Sequence, residues 1–141
     1  MDDLIEDFIG GGHNITHSVF VETHSFYNAD VTEADKVMAP LGEAQFAQGI
    51  AAQFASGKYG ALRACAGIVG SADLEKYGAA VEPLLIACKE QCPNYRGIRC
   101  GAAHDPNCNS GNFHQAPGIY SQPKFREGFA LLEKLDLVFD A

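Results

Sequence analysis

The sequence predicts an α/β fold of parallel strands alternating with helices, amounting to about half of a closed eight-stranded barrel. Three observations carry this expectation. Four short runs rich in β-branched, aromatic or small apolar residues each follow a segment with helical periodicity. One of them, Ala64-Cys65-Ala66-Gly67-Ile68-Val69, is continuously apolar, as a strand covered on both faces would be. The last, Leu135-Asp136-Leu137-Val138-Phe139-Asp140-Ala141, reads as a buried strand at which the chain stops with no turn and no partner after it.

The elements follow in order. Asp2 and Asp3 open a segment with Leu4, Ile5, Phe8 and Ile9 at helical spacing. This predicts a short amphipathic helix whose acids suit the positive end of its dipole, ended by Gly10-Gly11-Gly12. Ile15, Val19, Phe20 and Val21 predict a first strand over residues 14–22. The glycosylation sequon Asn14-Ile15-Thr16 enters this strand and reads as chance. The triple glycine precedes a strand rather than following one, which argues against a phosphate-cradling loop.

Residues 24–40 form a polar loop, longer than a plain connection needs and so a candidate for function. A helix is expected over 43–56, with Phe46, Ile50 and Phe54 on the buried face, Ala47 and Ala51 beside them, and Gly57 as its stop. The second strand covers 64–69. A helix over 79–92 turns Val81, Leu84, Leu85 and Cys88 inward and ends at Pro93. Residues 95–99 make a brief third strand, and residues 100–120 a long loop rich in Gly, Asn and Pro. Ser121 is placed to cap a final helix with Phe125, Phe129 and Leu132 on one face.

This alternation argues for a parallel sheet with right-handed crossovers. A complete (β/α)8 barrel, the TIM barrel, takes about 250 residues, so four strands in one domain over residues 1–141 make a partial barrel. The alternative, an open four-stranded sandwich, needs both sheet edges protected.

Composition excludes several classes. No run of about 18 apolar residues is present, so no membrane-spanning helix is expected, and Met1-Asp2-Asp3-Leu4-Ile5-Glu6-Asp7 is acidic where a secretory signal is basic. The formal charge of −8 and ten scattered Lys and Arg disfavour nucleic acid, which is held by clustered cations. Five cysteines, an odd count, suggest free thiols in a reducing, cytoplasmic setting. Exposed strand edges make a second copy of the chain a candidate partner, as a homo-oligomer.

In parallel β/α folds the chemistry gathers at the carboxyl ends of strands. Those ends carry Glu22 with His24, Ser71 with Asp73, Arg99 with His104 and Asp105, and finally Asp140. Acids, an arginine and histidines recurring there outline one side of a polar pocket, although strands also simply end where polar residues begin.

Several motifs occur in a fixed order: His13-Asn14-Ile15-Thr16-His17-Ser18-Val19-Phe20-Val21-Glu22, Val37-Met38-Ala39-Pro40-Leu41-Gly42-Glu43, Gly49-Ile50-Ala51-Ala52, Ala66-Gly67-Ile68-Val69-Gly70, Tyr95-Arg96-Gly97-Ile98-Arg99 and Phe125-Arg126-Glu127-Gly128-Phe129. As an ordered set covering nearly the whole chain, they resemble the amidohydrolase-related family of TIM-barrel hydrolases, on the branch of sugar-lactone and dicarboxylate-lactone hydrolases. The resemblance implies a stretch from the first helix to the fifth strand of such a barrel. It implies hydrolysis of a lactone, ester or amide of a small carboxylate or sugar acid, with a metal-activated water attacking the carbonyl. The divalent metal, Zn or Mn, would be held by histidines and an acid lying outside this chain. No metal is therefore expected on this chain alone, which by itself is expected to be inactive.

Glu22, Arg99 and Asp105 sit on matching positions and, with Asp73 at the end of the second strand, are the expected substrate-binding residues. Arg99 would grip a carboxylate or polarise a carbonyl, with Glu22 or Asp105 orienting hydroxyls or Arg99 itself. Two positions depart from the family's pattern: Cys100 stands where a histidine is common after Gly97-Ile98-Arg99, and Ser71 where a histidine is common after Gly70.

A rival reading is a non-catalytic zinc-binding or interaction domain using Cys88, Cys92, Cys100 and His104, with Cys108 and His114 nearby in sequence. Nucleophilic catalysis by Cys100 with His104 is a further option that depends on a low thiol pKa.

Overall fold

The structure, a computed structural model, describes residues 2–107 and 117–141. The chain opens with helix α1 (Asp2–Ile5), continued by a π-helical turn (Glu6–Gly10) up to the triple glycine. Strand β1 (His17–Val21) leads through a long loop and a 3-10 turn (Lys36–Met38) to α2 (Leu41–Ala55) and β2 (Arg63–Ser71). Helix α3 (Leu74–Tyr77), a 3-10 turn (Gly78–Val81) and α4 (Glu82–Gln91) then precede β3 (Tyr95–Arg99). A last 3-10 turn (Ile119–Ser121), α5 (Pro123–Lys134) and β4 (Val138–Asp140) complete the described chain.

The four strands form one sheet in the order β1-β2-β3-β4, with every neighbouring pair parallel. The expected α/β alternation is therefore what the chain forms.

One face of the sheet carries the core. Phe20 registers with Ile68, and Ile98 with Phe139. All four belong to the cluster that holds Ala44, Ala47 and Ala51 of α2, Leu84, Leu85 and Cys88 of α4, and Phe125 and Leu132 of α5. Because side chains alternate across a strand, Val19 and Val138 point to the other face, where they are 61% and 56% exposed. The last strand is thus covered on one face rather than buried on both. A second cluster of Phe54, Leu62 and Ala64 takes Leu4, Ile5 and Phe8 of the N-terminal helical segment.

The helices differ from expectation in several details. Helix α3 is covered by no expected element, and the helix expected over 79–92 begins at Glu82, after the 3-10 turn Gly78–Val81. The buried stripe of α2 is Leu41, Ala44, Ala47, Ala51 and Phe54, so small residues let this helix lie close to β2. Phe46 is instead partly exposed and stacks on Phe26 of the β1–α2 loop, with ring centroids 3.8 Å apart. On α5, Phe125 and Leu132 are buried while Phe129 lies at the margin, edge-on to Phe139. Ser121 belongs to the preceding 3-10 turn and does not cap α5, which opens with Pro123 after Gln122. Proline suits that first position because its missing N–H would have no intrahelical partner there.

Pairing of β3 with β4 depends on Gly97, where any Cβ would overlap the Val138 carbonyl. This close approach places Arg99 opposite Asp140 at the carboxyl end of the sheet.

Candidate functional site

A cleft of about 1060 Å³ opens at the carboxyl ends of β1, β2 and β3. Its walls come from the β1–α2 loop, the tip of β2 with the start of α3, and the residues following β3. Glu22, Asp73 and Arg99 all line it, together with Ser71 and Cys100. Three of the four expected binding residues are thereby brought together. Asp105 is not among the lining residues; it is exposed, and its Oδ1 accepts the Asn107 N–H at 2.8 Å in a local turn.

Glu22 is the most enclosed of the three. Its side chain is 10% exposed, and Oε2 is buried 2.9 Å from His24 Nε2. The approach is at ion-pair distance but lacks hydrogen-bond geometry, so this oxygen accepts no hydrogen bond. Arg99 donates through Nε to Asp140 Oδ2 at 2.8 Å, with both side chains 41% exposed. A pair this open to water adds at most about 1 kcal/mol, so its main effect is to orient the guanidinium. Asp73 is exposed and serves as the N-cap of α3, its Oδ1 accepting the Lys76 N–H at 2.8 Å.

Two residues missed from the sequence organise the cleft. Glu43, 1% exposed in the first turn of α2, accepts through Oε1 from the Thr23 N–H (3.0 Å), the Thr23 hydroxyl (2.8 Å) and the Ser25 N–H (2.8 Å). A carboxylate at a helix N-terminus also suits the dipole. It ties the loop that carries Glu22, His24 and Tyr27 to α2. Within that loop His24 and Phe26 both adopt left-handed backbone, φ 57° and 56°, a conformation that costs a bulky residue energy and persists only when surrounding contacts fix it. The second residue is Tyr27, a cleft-lining phenol packed edge-on against His24. Burial, together with the carboxylates of Glu43, Glu22 and Asp73, pushes it up to about 12, partly offset by the Ser71 side chain. The sequence signals were the unusual length of the loop for Tyr27 and, for Glu43, its place at the end of the Val37–Glu43 motif.

Burial also pushes the Cys100 thiol up to about 11, the opposite of what activates a nucleophilic cysteine. Cys88 and Cys92 sit in the core at the amino end of β3, with Cys100 beyond its carboxyl end. The four steps of strand from residue 95 to 99 alone span about 13 Å. Cys108 and His114 lie outside the described residues. Among the described residues no group of three or more His, Cys, Asp or Glu side chains is placed to hold a metal ion. No helix among them is long and apolar enough to cross a membrane.

No family model, curated protein or solved structure matches this chain.

Proposed function

We propose that this chain forms the substrate-binding part of an amidohydrolase-related hydrolase, a partial (β/α)8 barrel acting on a lactone, ester or amide of a small carboxylate or sugar acid. The observation that carries the reading is the convergence of Glu22, Asp73 and Arg99 on one cleft at the carboxyl ends of parallel strands. In β/α barrels that end of the sheet holds the active site. A strand order that never reverses agrees with a barrel segment, because doubly wound sheets switch direction at their binding crevice.

In this reading Arg99, already oriented by Asp140, receives the ligand carboxylate, and Glu22 orients a ligand hydroxyl or the attacking water. The resemblance implies a Zn or Mn ion, which when bound would polarise the carbonyl and activate water. The described residues of this chain do not supply a ligand set for one, so no step is assigned to it. Binding is accordingly the first readout.

Amide and side-chain NMR shifts on adding the lactones of gluconate and of 2-hydroxyglutarate should map to Glu22, Ser71 and Arg99. Arg99→Ala should weaken binding about tenfold, the effect of losing one charged contact. Turnover of the same lactones by an extended protein that carries the remaining barrel strands, with and without chelator, then tests the hydrolytic step. Absence of binding to this chain would sink the proposal.

A further inference from the structure

We propose that Tyr27 is the hydrogen-bond donor through which this cleft takes the carbonyl oxygen of its ligand. The inference rests on the proposal that the cleft is the ligand site, and adds a residue and a division of labour within it.

The placement of Tyr27 is fixed from both sides. The Asn28 N–H donates to the Ala39 carbonyl at 3.0 Å. The Phe26 carbonyl and the Asn28 side chain press on Gly42 so closely that a Cβ there would lie 2.7 Å from Asn28 Oδ1 and overlap the Phe26 carbonyl. The Tyr27 ring itself stands edge-on to His24, with centroids 6.1 Å apart at 82°. A donor on a loop held this way is in position before the ligand arrives, which is what makes such a donor effective.

Its surroundings decide what it can bind. Glu22, Glu43 and Asp73 bring carboxylates near the phenol, and the Ser71 side chain lies beside it. Burial and these charges keep it as O–H throughout the physiological range, so it works as a donor and not as a base. Arg99 and Lys36 are the cations that line the cleft, so an anionic ligand group is drawn to a guanidinium or ammonium rather than to a phenol set among carboxylates. The Ser71 hydroxyl bonds to the phenol oxygen, which leaves the Tyr27 O–H for a neutral acceptor, and the strongest one a lactone, ester or amide offers is its carbonyl oxygen. When water attacks that carbonyl, negative charge grows on its oxygen and the hydrogen bond strengthens, with the proton staying on Tyr27.

The test uses two ligands that differ only in the carbonyl: 5-oxotetrahydrofuran-2-carboxylate and tetrahydrofuran-2-carboxylate. Affinities are read by NMR titration of the whole chain, with the tyrosine Cζ carbons labelled. The wild type should favour the lactone by about five- to tenfold, the effect of one hydrogen bond. Tyr27→Phe should bind both ligands alike, whereas Arg99→Ala should weaken both and keep the preference. In the wild type the Tyr27 Cζ signal should move with the lactone and not with the ether, a readout that survives any loss of folding in the variant.

A preference that persists in folded Tyr27→Phe, or a Tyr27 signal that ignores the lactone while Arg99 responds, overturns the role of Tyr27 and leaves the site standing. If neither ligand disturbs Glu22, Ser71 or Arg99, the proposed site falls and this inference with it.

Discussion

The Thr23 amide, the Thr23 hydroxyl and the Ser25 amide all converge on one oxygen of Glu43, while its other oxygen is buried without a donor. Removing the side chain would strand those donors in a part-buried setting, and unmade hydrogen bonds cost more than made ones contribute. Glu43→Ala should therefore lower stability by roughly 2–4 kcal/mol in urea denaturation. Glu43→Gln, which keeps an acceptor oxygen, should lose less. Because Glu22 and Tyr27 ride on the same loop, the alanine variant should also lose ligand-induced shifts at both. An alanine variant within about 0.5 kcal/mol of wild type, the usual range for a neutral surface change, would show that the loop is held by other contacts.

At the scale of elements, the sheet is set by backbone approach as much as by side-chain packing. Gly97 brings β3 against β4 so tightly that no Cβ fits beside the Val138 carbonyl, and that register aligns Arg99 with Asp140. Gly97→Ala should separate the two strands and cost about 1–3 kcal/mol, as overpacking does. Hydrogen exchange offers a local check, since the amides at 138–140 and of Cys100 should lose protection while those of β1 and β2 keep it. Unchanged protection would mean that the sheet absorbs the methyl group by shifting. Helix α2 shows the same economy of space: its alanine stripe faces the core, and the larger Phe46 is turned out to stack on Phe26.

For the molecule as a whole, several buried acids that are neutral at pH 7 make its stability fall in alkali. Burial raises Cys88 from the ordinary 9.0 to about 12, Cys100 from 9.0 to about 11, and Tyr27 from 10.0 to about 12. Between the unfolded and folded values the folded chain holds more protons than the unfolded chain, so unfolding becomes easier as pH rises. The urea midpoint should be insensitive to these groups below about pH 8.5 and then decline steadily toward pH 11. A midpoint that stays level to pH 11 would contradict the burial of these groups. Slow alkylation of Cys88 and Cys100 at pH 7.5 is the matching chemical sign.

The α/β class, the alternation of strands with helices and the gathering of Glu22, Ser71, Asp73 and Arg99 at strand tips were legible from sequence, because hydrophobic period and strand polarity are local properties; the short helix α3 was not. The third strand was read to its observed bounds, Tyr95–Arg99, since Pro93 and the residues after Arg99 punctuate it on both sides. Tertiary structure alone decided the rest. The inward face of α2 depended on how closely β2 approached it, which periodicity does not encode. Asp73 as a helix cap and Asp105 in a turn are local contacts instead, each accepting a backbone N–H two or three residues further along the chain, which attention to strand tips passed over. Glu43 and Tyr27 acquired their places only when a long loop folded back on α2, bringing together groups up to 20 residues apart in the chain.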